Sequence, residues 1–419
     1  MAAASPLPRV ASFFDRAALW MVVAIGFSIP ISTALDNVLV AALLLCWSAS
    51  GRYRAKLAAI RGNAFALAAC AFFLLHVAGT AYSPGTRADM LHALDKAAPV
   101  LLIPLLISLG PGIEWRNRAL WALMAAVGLT LALSFIVWMG LMPESAIIKG
   151  TQFDAVVFKK KITHSVLMAF GAFLFALKAR EAVDLRWRMT WALGAALAAF
   201  NVLFMVQGRT GQLVLMTVLL YFLINSFRWR GLLAALAAGL AIGGTVYLTP
   251  SSSLHQRTLT TINEYQDWRA GKPPTLANMR LESWSNSLKI VREYPLIGVG
   301  TGGFAAAYAK QVEGTSMMPI GQPENQYLLT TVQLGVVGLA AMLALFAMQW
   351  HLASRLAARS DSDFARGLVI TMAVGCMFNS FLLDHTEAFF YAWLSGLLFA
   401  GAKSFTVELA VRDGGRVAP

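Results

Sequence analysis

The feature that most constrains this chain is the recurrence of long apolar runs along nearly its whole length. A bilayer core about 30 Å thick is crossed by roughly 20 mostly apolar residues in a helix. Twelve such runs predict an all-α, polytopic membrane bundle of about 12 transmembrane helices. The predicted spans are 17–33, 35–50, 63–83, 96–111, 117–142, 162–179, 189–206, 211–227, 231–249, 325–350, 366–383 and 387–404.

Composition and charge support this class and suggest an orientation. With 58% apolar residues and a mean hydropathy of +0.64, the chain lies outside the range of ordinary soluble domains. The net charge of +13 falls mostly in loops on one side of the predicted membrane. The excess of Lys and Arg there predicts that this side is cytoplasmic, with both termini on it. The basic charge therefore indicates contact with membrane lipids, and no nucleic-acid partner is predicted.

One connection is much longer than the others. Residues 250–323 lie between the ninth and tenth spans, on the predicted outer side, and separate a first membrane region (residues 1–249) from a second (residues 324–419). Helical patterns over about 253–268 and 276–293 predict a helical periplasmic loop. A loop of this length inside an otherwise economical bundle is usually functional.

The cysteines indicate no special chemistry. Cys46, Cys70 and Cys376 all lie within predicted spans, and their spacing matches no metal-ligand pattern. We therefore expect no disulfide and no metal site built on them. No Walker-type phosphate loop is present, and GVGTGG follows a predicted helix rather than a strand, so no cofactor is expected either.

Arg209 is the first candidate for a functional residue. It lies in VQGRTGQ, at the outer end of the seventh and eighth spans. An arginine there either extends along the helix end to reach water or binds an anion. In the second case, Gly208 and Gly211 would let a headgroup approach the backbone.

Arg280 in the long loop is the second candidate. On a helix, Arg280, Trp284 and Leu288 share one face at four-residue spacing. That face presents a cation beside an indole, either to a lipid-borne ligand or to the bundle. Two arginines on the outer side can hold a diphosphate with bidentate hydrogen bonds, which lysine does less specifically.

Glu324 stands directly before the tenth span. Pro323 is a good first helical residue, so the Glu324 carboxylate is predicted in the first helical turn, where the helix dipole favours an anion by about 0.3–1 kcal/mol. The alternative interpretation is a proton acceptor at a water-filled outer cavity. In that case, Asn325 and Tyr327 would orient polar groups of a substrate beside it.

Further polar residues are predicted on the outer side. Lys159, Lys160 and Lys161 either anchor the chain at the membrane surface or attract a polyanion. His164 either caps a helix or makes an interhelical hydrogen bond, or it has a catalytic or ligand-binding role. A separate group connects the last two spans and is interpreted first as salt-bridged: Asp384, His385 and Glu387.

Four motifs together resemble the O-antigen ligase and polymerase superfamily: GRTG at 208–211, MRLESW at 279–284, PLIGVGTGGF at 295–304 and PENQYLLTTVQLGVVGL at 323–339. The similarity covers the second half of the chain well, and the first half is similar in hydropathy. Within the superfamily, the layout looks most like the O-antigen ligases of Gram-negative bacteria.

This resemblance implies a C-type glycosyltransferase of the inner membrane that uses neither nucleotide nor metal. Such enzymes transfer O-antigen from undecaprenyl diphosphate to lipid A core at the periplasmic face. The matching positions imply that Arg209 and Arg280 hold the donor diphosphate. Where the family pattern has a histidine, this sequence has Glu324, and His164, His255 and His385 are the alternative proton acceptors.

Other activities remain open at the level of sequence. An O-antigen polymerase or a protein O-oligosaccharyltransferase would use the same donor arginines with a different acceptor, and the lysine run mildly favours an anionic acceptor such as lipid A core. A transporter of a lipid-linked solute is a more distant alternative. Many transporters are built from two similar halves, which this sequence does not show.

Overall fold

The computed structural model describes residues 6–142, 145, 148–248, 253–270, 279–315 and 317–400. These residues form seventeen α-helices, with no strand among them and a single β-bridge between Thr151 and Asp154. The first nine helices are α1 Pro6–Ser28, α2 Thr33–Ala49, α3 Tyr53–Arg61, α4 Ala64–Gly79, α5 Arg87–Ala97, α6 Leu102–Leu109, α7 Ile113–Trp138, α8 Lys161–Glu181 and α9 Leu185–Phe200. The others are α10 Arg209–Phe227, α11 Trp229–Leu248, α12 Ser253–Arg269, α13 Met279–Glu293, α14 Phe304–Gln311, α15 Gln326–Ala353, α16 Arg359–Gly375 and α17 His385–Phe399. The all-α prediction is confirmed.

Fewer membrane spans are found than the sequence predicts. Among the described residues, seven stretches have the necessary length and apolar composition: Ala64–Tyr82, Arg87–Leu109, Ile113–Trp138, Lys161–Glu181, Leu185–Met205, Arg209–Phe227 and Gln326–Ala353. An eighth is added if α2 and α3, which meet at a 114° bend, form one broken span. The predicted count of twelve is therefore not confirmed. Two of the predicted spans correspond to α16 and α17, whose 17 and 15 residues are fewer than the roughly 20 that a bilayer core requires.

The segment between the ninth and tenth predicted spans is helical, as expected. Within its described residues it contains α12, α13 and α14. Its periplasmic side, and the division of the chain at 249 and 323, stay predictions.

Helix α8 is the centre of the bundle. About 78% of the residues in its most apolar stretch are buried. The helix packs against α7, α9, α10 and α16. Phe170 and Phe173 on it are almost completely buried. Helix α9 is the opposite case. Only 22% of the residues in the apolar stretch within Leu185–Met205 are buried, and Trp187 and Leu193 are exposed. A helix that is apolar on all sides belongs in the interior, so α8 forms the core, and the exposed apolar face of α9 is suited to lipid.

Helix α15 is not the continuous span that the sequence predicts. It is interrupted at Gly335, where φ is 62° and ψ is −161°, and the segment 295–304 lies against the interruption. The N–H of Val299 donates to the carbonyl of Val332 at 2.8 Å, and the N–H of Val336 donates to the carbonyl of Pro295 at 2.8 Å. Backbone groups freed by a break at membrane depth need such partners within the protein. The glycine-rich segment therefore completes the hydrogen bonding of the broken helix.

Candidate functional site

The GRTG motif sets the start of α10 against α8. Arg209 is the first residue of α10, and a Cβ atom at Gly208 or at Gly211 would overlap the Ser165 side chain of α8. Helix packing therefore requires both glycines. The expectation that they leave room for a headgroup is wrong on this side of the backbone, because Ser165 fills the space.

The side chain of Arg209 points towards the long loop. It is 54% exposed, and its Nη1 lies 3.8 Å from the Glu264 Oε2 of α12. Helix α12 in turn contacts α13, because the Trp268 Nε1–H donates to the Glu282 Oε2 at 3.0 Å. Helices α12 and α13 of the long loop therefore lie beside the start of α10.

Helix α13 carries the second arginine and contacts the turn before α15. Arg280 is exposed, and Trp284, one helical turn later, donates from Nε1 to the carbonyl of Pro323 at 2.8 Å. The Trp284 ring also lies 6.5 Å, centroid to centroid, from Phe378. The arginine and the indole are thus placed on one helix face, as predicted, and the indole is fixed against the residue that precedes Glu324.

The sequence predicts Glu324 in the first helical turn, but the structure places it before the helix. Helix α15 begins at Gln326, and the N-cap is Asn325, whose Oδ1 accepts from the Leu328 N–H at 3.1 Å. Asparagine is among the best N-cap residues, and it takes precedence here over Pro323 as the helix start. The carboxylate therefore stands outside the helix, with the Gln322 Nε2 donating to its Oε1 at 3.2 Å.

The backbone at Glu324 is strained. Its φ of 52° lies in the left-handed region, which residues other than glycine, asparagine and aspartate seldom adopt. Such a conformation costs of order 1–3 kcal/mol and persists where surrounding contacts over-determine it. The Trp284 bond to Pro323 and the Asn325 cap supply those contacts on either side.

A buried glutamine connects α15 to the loop before α17. Gln326 is fully buried, its backbone N–H donates to the carbonyls of Cys376 (2.8 Å) and Asn379 (3.2 Å), and its Oε1 accepts from the Leu382 N–H at 3.1 Å. Asn379 then donates from Nδ2 to the Thr210 Oγ1 of α10 at 3.2 Å. Sequence reasoning missed both residues; a polar pair of amides within apolar runs was the available signal.

These contacts close on themselves. They run from the start of α10 through α12 and α13 to the turn 322–325, then through the start of α15 and the loop 376–384 back to α10. We call this arrangement the contact ring. It brings Arg209, Arg280, Trp284 and Glu324 onto neighbouring elements, although they are spread over residues 209–324 of the sequence.

Asp384, at the N-cap of α17, adds a second carboxylate beside the ring. Burial raises the pKa of the Asp384 carboxyl to about 7; the charges of Glu387 and Glu324 act in the same direction, and those of Lys96 and Lys160 oppose them. A perturbed carboxyl with several charged neighbours is typical of functional sites. Lys160, one of the predicted ligand residues, is thus within electrostatic range of the carboxylates.

Lys159 differs from the exposed Lys160 and Lys161, because it is only 6% exposed. Its Nζ donates to the Thr386 Oγ1 at 3.2 Å and lies 3.9 Å from the Asp36 Oδ2. Burial lowers the pKa of the Lys159 ammonium, against the opposing effect of the Asp36 and Glu387 charges. Nothing in the sequence singles out the first lysine of the three.

The predicted mutual salt bridges of Asp384, His385 and Glu387 are not found among the described residues. The His385 Nε2 instead lies 2.8 Å from the Asn37 Oδ1 of α2, and the Lys159 ammonium interacts electrostatically with the Glu387 carboxylate. These contacts join α17 to α2 and to the segment before α8.

His164 and Tyr327 make internal contacts. The His164 Nε2 lies 3.3 Å from the Asn201 Oδ1, and Asn201 donates to the Ser134 Oγ at 2.7 Å. No hydrogen bond or ion pair recorded for the described residues joins His164 to the contact ring. The Tyr327 hydroxyl donates to the Ala373 carbonyl of α16 at 2.8 Å. Substrate contacts by these two residues, and by Asn325, stay predictions. In the described ranges, no group of three potential ligand side chains is placed to hold a metal ion.

The site belongs to a multi-pass membrane protein of helical architecture. Comparison with known proteins shows which family the chain resembles. Residues 193–343 match the family model described as O-antigen ligase. This stretch contains Arg209, Arg280 and Glu324, so the resemblance predicted from the four motifs is confirmed. The family supports a membrane enzyme of the O-antigen ligase or polymerase type.

Individual relatives add less. An uncharacterized protein of Haemophilus influenzae is 27% identical over 192 residues, which cover 44% of this chain and 43% of that protein. The match therefore spans less than half of the relative's length. A chain from a solved structure described as "Structural coordination of polymerization and crosslinking by a peptidoglycan synthase complex" is 16% identical, with a TM-score of 0.48, and the match covers 80% of this chain and 96% of that one. Similarity at this level supports no conclusion about function.

Proposed function

We propose that this protein is a glycosyltransferase of lipopolysaccharide maturation in the bacterial inner membrane. It transfers O-antigen from undecaprenyl diphosphate to a sugar hydroxyl of lipid A core, at the periplasmic face, without a metal ion and with inversion at the anomeric carbon. The contact ring carries this proposal, because it positions two arginines, an indole and a carboxylate from separate segments on neighbouring elements. The family match over 193–343 supports the same class of enzyme.

The arginines are the proposed diphosphate ligands. Arg209 and Arg280 are both exposed, and both lie on helices of the contact ring. A diphosphate carries more charge than one carboxylate and offers bidentate geometry. During transfer, the leaving undecaprenyl diphosphate gains negative charge, which both guanidinium groups stabilise where it develops.

Glu324 is the proposed proton acceptor. The acceptor hydroxyl oxygen forms a bond to the anomeric carbon while the bond from that carbon to the diphosphate oxygen breaks, and the hydroxyl proton passes to the Glu324 carboxylate. A positioned base contributes typically 10²–10⁴-fold in rate. The strained turn that holds this side chain outside the helix agrees with the tendency of such strain to occur at functional sites.

Transfer by purified protein tests the proposal. The full chain in nanodiscs is supplied with undecaprenyl-diphosphate-linked O-antigen and lipid A core, and product is followed on gels. Arg280→Ala should lower the rate by about 10²–10³-fold, the usual cost of losing one donor to a developing anion. Arg292→Ala, an exposed arginine on the same helix, is the matched control.

Three results would count against the proposal. Equal rates for Arg280→Ala and Arg292→Ala would remove the diphosphate role. Failure of the unaltered protein to use lipid A core, combined with transfer to a second lipid-linked glycan or to a Ser-containing polypeptide, would instead support the polymerase or the protein O-oligosaccharyltransferase. Movement of the donor across the membrane without transfer would support the transporter.

A further inference from the structure

A deep apolar groove lies next to the contact ring. Its cavity, of about 770 Å³, is formed by α2, α3, α4, α5, α6 and α17 with the chain between them. Val40, Leu44 and Trp47 line it from one face of α2, because they follow the spacing of three and four residues that places side chains on one side of a helix. Together with Asn37, this face extends for about 15 Å along the helix. Leu101 and Leu105 form part of the opposite wall. The length and apolar walls suit a hydrocarbon chain.

Part of the groove lining is polar, and we call this part the mouth. It consists of Asn37, His92, Asp95, Lys96, Asp384 and His385. The hydrogen bond between His385 and Asn37 joins α17 to α2 at this point. Charges of both signs meet here, since Asp384 interacts with the cations of Lys96 and Lys160 as well as with Glu324. Ammonium groups bind phosphate, and carboxylates accept hydrogen bonds from sugar hydroxyls.

We propose that this groove binds an acyl chain of the acceptor glycolipid, whose phosphorylated sugar head then reaches the carboxylates at the mouth. The inference rests on the proposed function and adds where the acyl chain of its lipid acceptor binds. A polypeptide acceptor has no use for a long apolar groove that opens beside the carboxylates.

The position of the groove favours the acceptor lipid, rather than the donor lipid, as its ligand. Among the described residues, no residue of α10, α12 or α13 lines it, whereas the proposed diphosphate ligands lie on α10 and α13. The groove mouth is instead connected to the proposed base, because Asp384 lines the mouth and interacts electrostatically with Glu324. The two lipid substrates are therefore assigned to different sets of helices.

Photocrosslinking tests the ligand directly. The full chain in nanodiscs is exposed to lipid A that carries a diazirine in one acyl chain, and the labelled peptides are mapped by mass spectrometry. Adducts are expected on the α2 and α6 walls. Val40→Trp fills the groove and should lower them about tenfold. Val38→Trp, at a 64% exposed position of the same helix, should leave them unchanged. Leu44→Trp, at a 46% exposed position, repeats the test if the first variant does not fold.

Two comparison probes decide the class of ligand. Phosphatidylethanolamine and undecaprenyl phosphate carry the same diazirine, and both should label the groove much more weakly than lipid A does. Equal labelling by phosphatidylethanolamine would overturn the proposal in favour of a site for bulk membrane lipid. Stronger labelling by undecaprenyl phosphate would overturn it in favour of a donor groove.

Kinetics separate this inference from the proposed function. In the transfer assay, Val40→Trp should raise the KM for lipid A core about tenfold and leave the KM for the donor unchanged. Unchanged acceptor KM in an active variant would overturn the groove alone. If the unaltered protein transfers nothing while lipid A still labels the groove, the proposed function fails and the ligand class of the groove stands.

Discussion

The two ends of α8 carry polar clusters of opposite kinds. At its last turn, Asp363 of α16 is 2% exposed and accepts from Arg180, from Tyr221 (3.0 Å) and from Asn225 (2.7 Å). Arg180 makes a second bond, to Ser226 at 3.1 Å. The cluster contains one carboxylate whose two oxygens are both hydrogen-bonded, which is how a buried charge is stabilised.

The charged groups at the other end of α8 are paired less closely. About 30 Å away along the helix, Lys159 lies 3.9 Å from Asp36, beyond hydrogen-bond distance, and Asp384 has a pKa raised to about 7 by burial, with two carboxylates adding to the effect. Glu324 stands in strained backbone beside them. Long ion-pair contacts, buried carboxyls and strained backbone cost stability, and the proposed function gives a reason for them, whereas the Asp363 cluster is explained by packing alone.

The largest expected effect comes from breaking the complete cluster. Asp363→Ala removes the partner of the half-buried Arg180 and should lower the free energy of unfolding by about 3–5 kcal/mol. The transfer rate of the molecules that remain folded should not change. Unfolding in mixed micelles, with activity normalised to folded protein, measures both quantities.

A double substitution supplies the control for that result. Arg180→Met combined with Asp363→Leu removes both charges and should recover most of the lost stability, since an apolar pair of similar size often replaces a buried ion pair without cost. If Asp363→Ala lowers the rate per folded molecule as strongly as Arg280→Ala does, the contrast between the two ends is wrong.

The proposed base should show the reverse behaviour. Glu324→Gln keeps the shape and the bond to Gln322 but cannot accept the hydroxyl proton, so kcat should fall by about 10²–10⁴-fold while unfolding is little affected. Glu313→Gln, at an exposed position of the same loop region, is the matched control. Transfer retained in Glu324→Gln would leave Glu324 a turn residue and return the search for a base to Asp384 and the histidines.

Parts of this contrast could be predicted from the sequence. Arg209 and Glu324 stand out in the sequence because they lie beside apolar runs, where charge is costly. Arg280 stands out because it shares a helix face with Trp284. Gln326 and Asn379 do not stand out, because their importance comes from bonds between distant segments: Gln326 bonds to Leu382, 56 positions later, and Asn379 bonds to Thr210, 169 positions earlier. Lys159 differs from its two neighbours only through burial.

The fold shows the same limit. Apolar periodicity correctly predicts an all-α fold, but the predicted count of twelve spans is not confirmed. It also does not predict the interruption at Gly335, because that break is stabilised by the segment 295–304, which is separate in the chain. The start of α15 was misplaced because Pro323 and Asn325 both carry start signals, and the sequence does not rank them. Local rules therefore located the elements, and long-range hydrogen bonds decided their ends.

The raised pKa of Asp384 predicts an intermediate effect on stability. With a folded-state pKa of about 7 and an ordinary value of about 3.9 when unfolded, the folded protein holds a proton that the unfolded chain has released between those pH values. Stability should therefore fall as pH rises from about 4 to about 7. Asp384→Asn should remove this part of the fall, by about 1.4 kcal/mol for each unit of pKa difference.

Melting temperatures in detergent at pH 5 and pH 8 check this prediction. Asp184→Asn, at the exposed N-cap of α9, is the matched control, because it changes a carboxylate at the same position of another helix. The same pH dependence in Asp384→Asn as in the unaltered protein would show that Asp384 does not hold the proton.

The smallest expected effect concerns the connection between the loop and the strained turn. Trp284→Phe keeps an aromatic ring beside Phe378 but removes the 2.8 Å bond to the Pro323 carbonyl, which is worth about 0.5–1.5 kcal/mol. Because this bond holds the turn that positions Glu324, we expect kcat to fall by roughly threefold to tenfold with little change in the donor KM. Trp187→Phe, on the exposed face of α9, should leave both constants unchanged. A rise in the donor KM at constant kcat would instead place the indole in direct contact with the donor, as the shared face with Arg280 also allows, so the measurement distinguishes a positioning role from a binding role for this residue.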